Sequence, residues 1–135
     1  MIVVDASLLA AFIRKEPGWE KLVNYVRLCI TIDLVLKEVL NAIWKDATIK
    51  RTINIETAFK LQEILFSMIG INIEIEPEGK YLSKAFEIAL KTGITVYDAL
   101  YIALAIEKKL PLATLDEKQA RVAQANGVKT IVPFT

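Results

Sequence analysis

The chain has no histidine and only one cysteine, Cys29, in 135 residues. Without histidine there is no Ser-His or Cys-His nucleophilic pair and no ordinary zinc centre, so any metal must be held by oxygen ligands. Cys29 lies in the apolar stretch Leu28-Cys29-Ile30, where a thiol serves as a small buried hydrophobe, and a single cysteine cannot close an internal disulfide. A reducing, intracellular compartment is expected.

Excess charge of either sign is also missing. Seventeen Lys and Arg stand against 16 Asp and Glu, a formal net charge of +1. No bulk field gathers a polyanion, so such a partner must be held locally. The basic clusters are Arg14-Lys15, Lys45 with Lys50-Arg51, and Lys108-Lys109, each of which also suits a solvated helix end. No uncharged apolar run approaches the ~20 residues of a membrane span. The N-terminus lacks a basic stretch followed by a cleavable apolar segment, so the expectation is a cytoplasmic protein with no membrane role.

Hydrophobic residues make up 54% of the chain, enough for a full core, and no linker, repeat or low-complexity segment divides it. A single domain over 1–135 is expected. A mean hydropathy of +0.40 is high for a chain of this size and predicts apolar surface that meets another chain.

Short β-branched runs alternate with helical periodicity. Met1–Val4 reads as a strand, followed by a helix with Leu8, Leu9, Phe12 and Ile13 on one face and a break at Glu16-Pro17-Gly18. Trp19–Arg27 resumes as a helix and Leu28–Ile32 as a strand. Asp33 is positioned to cap a helix from Leu34 to about Lys45. Helix then covers Ile55–Ile69, strand Ile71–Ile75, helix Tyr81–Lys91, helix Thr95–Lys109, strand Pro111–Leu115, a helix opened by Asp116, and strand Val128–Val132. This alternation predicts an α/β fold, a three-layer α/β/α sandwich around a parallel sheet joined by right-handed crossovers.

In such a sheet strand C-termini and helix N-termini share one edge, where ligand crevices form. Asp5 ends the first strand and Asp116 the fourth, Glu38 falls in the first turns after the second, and Asp98 lies in the first turn of its helix. Each acid also has an innocent reading. Asp5 can cap a helix, Thr95 with Asp98 and Asp116 with Gln119 fit capping boxes, and Glu117 suits a helix start. Glu38, between Val35 and Val39 on an apolar helix, is too deep for a cap. Four carboxylates crowded into one crevice repel one another unless a cation joins them, and oxygen-only ligands suit magnesium or manganese.

The segments Val3-Val4-Asp5-Ala6-Ser7, Leu36-Lys37-Glu38-Val39-Leu40-Asn41-Ala42, Tyr97-Asp98-Ala99-Leu100-Tyr101-Ile102-Ala103-Leu104-Ala105 and Thr114-Leu115-Asp116 resemble, in order and spacing, those of a PIN domain of the VapC toxin type. The resemblance covers nearly the whole chain. It implies strand order 3-2-1-4-5, an acidic quartet of Asp5, Glu38, Asp98 and Asp116 as catalytic and Mg2+ or Mn2+ ligands, and Ser7, Asn41 and Thr114 as polar neighbours. It further implies hydrolysis of RNA by direct water attack, leaving a 5′-phosphate and a 3′-hydroxyl, as well as a homodimer and a small antitoxin partner. Arg14, Lys15, Lys37, Lys118 and Arg121, near the expected edge, are candidate contacts to RNA phosphates.

The competing readings are a housekeeping PIN-type RNA-processing nuclease, a phosphatase-like or receiver-like domain, and a non-catalytic binding module. A phosphatase expects a second aspartate where Ser7 stands, and a receiver expects an acidic pair after the first strand that this chain lacks.

Overall fold

The computed structural model describes residues 1–134. Its centre is β1 (Ile2–Val4), a β-branched tripeptide in which Val3 and Val4 are fully buried, as a strand covered on both faces requires. β2 (Cys29–Ile32) lies on one side of it and β4 (Leu112–Ala113) on the other. β3 (Ile73–Glu76) and β5 (Thr130–Ile131) complete an all-parallel sheet in the order β3-β2-β1-β4-β5. Both the sandwich and the strand order match the expectations from sequence.

Among the described residues seven α-helices flank the sheet: α1 (Ala6–Ile13), α2 (Val23–Val26), α3 (Leu34–Thr48), α4 (Ile55–Met68), α5 (Leu82–Thr92), α6 (Val96–Lys108) and α7 (Glu117–Ala125). α6 is buried without interruption from Ala99 to Ala105, since small and apolar residues all round it let it pack on several sides at once. α5 ends at Gly93, whose φ of +83° is the left-handed conformation that closes a helix with little cost only for a residue without Cβ. Among the described residues no single helix is long and apolar enough to cross a membrane.

Three local expectations are corrected. The predicted helix Trp19–Arg27 splits into a 3-10 turn over Trp19–Leu22 and the single turn of α2, because a segment this short propagates too few α-type bonds to hold one regular helix. Asp33 does not cap α3 through its side chain. Its backbone is already helical (φ −63°, ψ −20°), and its Oδ1 instead accepts the Glu78 N–H at 3.0 Å, fastening the start of α3 to the turn after β3. β3 lies later than expected, at Ile73–Glu76, because Ile71 and Asn72 close the C-terminus of α4 by donating to the Met68 carbonyl.

Candidate active site

Sheet register sets the first part of the site. Val4 pairs with Ala113, so the next residues along the two strands, Asp5 and Thr114, leave the sheet side by side. Thr114 Oγ1 donates to Asp5 Oδ2 at 2.5 Å, Ser7 Oγ donates to Asp5 Oδ1 at 2.7 Å, and the Leu8 N–H donates to the same Oδ1 at 3.1 Å, which makes Asp5 the cap of α1. Asp5 is 3% exposed and Thr114 fully buried. Burial pushes the Asp5 carboxyl up to about 6 against these three hydrogen bonds, and the negative charge of Asp116 adds to the rise.

Glu38 comes from α3. Its half-buried carboxylate accepts the Tyr101 hydroxyl at 2.5 Å, a contact between residues 63 positions apart. Burial raises its pKa, the hydrogen bond opposes the rise, and the charge of Asp98 reinforces it. Asp98 and Tyr101 sit three residues apart on α6 and so share one face. The Asp98 N–H donates to Thr95 Oγ1 at 3.2 Å, the expected cap of α6. The pKa of Asp98 is raised by burial and then by Asp116, while Thr95 and Lys118 pull it down.

Asp116 caps α7, its Oδ1 accepting the N–H groups of Lys118 and Gln119 at 2.9 and 3.2 Å. Only half of the expected box forms, because the buried Gln119 amide makes no return hydrogen bond among the described residues. The Asp116 N–H donates to Thr114 Oγ1 at 3.0 Å, so one hydroxyl ties Asp5 to Asp116. The bland reading of Asp5 and Asp116 as helix caps is therefore correct, and capping holds both carboxylates at the same edge as Glu38 and Asp98.

Among the other residues singled out from sequence, Ser7 and Thr114 join this network, while Asn41 is exposed one turn beyond Glu38. Arg14 is committed elsewhere. Its Nε and Nη2 donate to the two oxygens of Asp46 at 2.8 and 2.9 Å. Lys15 Nζ lies 5.7 Å from the centroid of the Trp19 ring. Lys37, Lys118 and Arg121 are exposed. Sequence reasoning missed Tyr101 and Asp46. The signal available for Tyr101 was a phenol one turn from Asp98, in the run of α6 that is otherwise apolar from Ala99 to Ile106.

The donor set suits a hard divalent cation. Burial and mutual repulsion raise three of the four acids, so the edge holds its negative charge at a cost that a cation would relieve. Among the described residues no three acidic side chains already stand close enough to enclose an ion. Asp5 and Glu38 are turned onto their hydroxyl partners instead.

Residues 2–125 match the family model described as PIN domain. The chain is 36% identical over 123 residues to Ribonuclease VapC3 of Pyrobaculum aerophilum, covering 88% of this chain and 92% of that one. It is 30% identical over 131 residues to Exonuclease VapC9 of the same organism, covering 96% and 92%. The crystal structure of PAE2754 from Pyrobaculum aerophilum superposes with a TM-score of 0.71 at 25% identity, covering 96% of this chain and 82% of that one. With its parallel sheet, strand order and acidic C-terminal edge, the chain belongs to the PIN domain family.

Proposed function

We propose that this chain is a divalent-metal-dependent endoribonuclease, the toxin of a VapBC-type toxin-antitoxin pair, acting in the cytoplasm as one domain over 1–135. The observation that carries this reading is the convergence of Asp5, Glu38, Asp98 and Asp116 on one sheet edge in a PIN-family chain similar to a named ribonuclease.

Asp5, Glu38, Asp98 and Asp116 would hold the magnesium or manganese ion. When bound, it supplies charge neutralisation at the phosphate and an acidified water. The chain's own residues set the geometry. Ser7, Thr114 and the Leu8 N–H fix Asp5, Tyr101 orients Glu38, and the α7 N-terminus fixes Asp116. Lys15, Lys37, Lys118 and Arg121 are the proposed contacts to flanking phosphates, with Arg14 limited by its pairing with Asp46.

Two apolar features support protein partners. A groove of about 260 Å³ between α3 and α4, lined by Leu40, Ile43, Trp44, Ile55, Ala58 and Phe59, fits the inserted segment of an antitoxin. Leu82, Phe86 and Leu90 form an exposed stripe on α5 that fits a homodimer contact.

The test is cleavage of mixed RNAs with Mg2+ or Mn2+ by wild type, by Asp98→Asn and by wild type in EDTA. Cleavage by the metal-loaded wild type alone is expected, and equal cleavage in all three defeats the proposal. The exonuclease name of one relative motivates a further arm, a circular RNA. An endonuclease opens it, whereas an exonuclease leaves it intact.

A further inference from the structure

Beside Glu38 lies a cleft of about 360 Å³ lined by Arg14, Glu38, Asn41, Ala42, Lys45 and Lys50. Its floor is one stripe of α3. Glu38, Asn41 and Lys45 follow at helical spacing, which places Lys45 about 10.5 Å along the axis from Glu38.

The cations of this cleft are not equivalent. Arg14 is clamped in both directions by the buried Asp46 and forms a wall. Lys50 touches Asp46 only loosely, at 3.9 Å, and its side chain is 60% exposed. Lys45 is exposed and forms no ion pair among the described residues. The chain turns back at the end of α3, where the Lys50 N–H donates to the Lys45 carbonyl at 2.9 Å, so both ammonium groups open on the same cleft. Stabilisation of the α3 C-terminus explains a lysine in the last turn. It does not explain a polar cleft that runs continuously from two weakly engaged ammonium groups to an acid of the quartet.

We infer that this cleft is a subsite for the RNA backbone, in which Lys45 and Lys50 hold a phosphate of the strand that flanks the acidic edge. The inference deepens the nuclease reading and rests on it. It identifies one arm of the path along which the strand leaves the acids, and the lysines act there by positioning the strand.

The test is binding of a fluorescent single-stranded RNA by the full chain carrying Asp98→Asn, measured by anisotropy from low to moderate salt. Wild-type cleavage of the same RNA with Mn2+ is measured in parallel. Adding Lys45→Ala and Lys50→Ala is expected to weaken binding roughly tenfold at about 0.1 M salt and to flatten the log-log salt slope by about 0.7 for each phosphate that the lysines no longer neutralise. Lys45→Arg with Lys50→Arg is expected to restore both. Lys129→Ala, at an exposed lysine just before β5, controls for net charge. A double alanine variant that matches this control in affinity and slope overturns the subsite, as does an arginine pair as weak as the alanine pair. A wild type that binds with the expected slope yet cleaves nothing defeats the nuclease reading and leaves the subsite standing.

Discussion

The Tyr101 hydroxyl donates to Glu38 Oε1 at 2.5 Å, and this bond joins α6 to α3 at the acidic edge. Tyr101 is 1% exposed, so its phenol has no solvent alternative. Tyr101→Phe removes an interaction that favours the ionised Glu38. The Glu38 pKa then rises further, and because metal ligation needs the carboxylate, the acidic limb of the pH–rate profile moves to higher pH. The stability cost is about 1 kcal/mol, since Glu38 keeps partial access to water. A limb that stays in place while activity falls would assign Tyr101 a purely packing role.

Asp5 predicts an unusual pH response in metal-free protein. Its folded pKa of about 6 lies above its ordinary value of 3.8. The folded state therefore binds its proton more tightly, and this contribution is fully present below pH 3.8 and lost as pH rises through about 6. The amplitude is about 3 kcal/mol. Asp5→Asn lacks the titration, so its stability relative to wild type improves between about pH 4 and about pH 7.5. Urea denaturation in EDTA at those two pH values measures it, and a constant difference would contradict the burial argument.

Divalent ions should reverse the cost of charging that edge. At an Mn2+ concentration roughly a hundredfold above the dissociation constant, ligand linkage adds about 2.7 kcal/mol, or roughly 10 °C in Tm. The increment should vanish in Asp98→Asn and shrink in Glu38→Gln, while excess EDTA restores the baseline. An undiminished rise in Asp98→Asn would place the ion elsewhere.

The Arg14–Asp46 pair is bidentate, with Asp46 only 8% exposed. Arg14 holds the Asp46 carboxyl below its usual range, so this contribution is present above the ordinary value and lost as pH falls through the lowered one. Asp46→Ala is expected to cost about 2 kcal/mol near neutral pH. Arg14→Lys, with Asp46 intact, should also be less stable than wild type, because an ammonium keeps the charge but cannot form the fork. Thermal denaturation of the three proteins decides it.

On α5, Leu82, Phe86 and Leu90 are 46%, 56% and 71% exposed along one stripe. Light scattering is expected to give twice the 15.1 kDa chain mass for wild type and the monomer mass for Phe86→Glu. Equal masses would move the dimer contact off this stripe.

Much of the site was legible because it depends on short-range rules. Period-two and period-3.6 patterns placed the strands and helices, parallel topology put the strand C-termini on one edge, and caps located Asp5, Asp98 and Asp116. What escaped depends on side chains meeting across the sequence. Nothing local to Tyr101 points to Glu38, 63 residues away, and nothing local to Arg14 points to Asp46, 32 away. Asp33 looked like a cap because capping is the local option, whereas a backbone N–H at Glu78 supplied a partner that sequence spacing could not reveal. Thr114 entered as a family neighbour, and the register of β1 and β4 accounts for its place.

The two caps also affect how the chain can change over evolutionary time. Asp5 and Asp116 each satisfy backbone N–H groups at the head of a helix, a service worth about 1 kcal/mol whatever happens at the acidic edge. Selection for folding alone would keep both residues in a descendant that had stopped cutting RNA. Glu38 carries no such insurance, since its only hydrogen bond among the described residues is to a side chain. Asp98 is equally unprotected, because the cap of its helix is Thr95. A descendant that had abandoned catalysis would betray itself first at positions 38 and 98, while Asp5 and Asp116 still looked like half of a nuclease site.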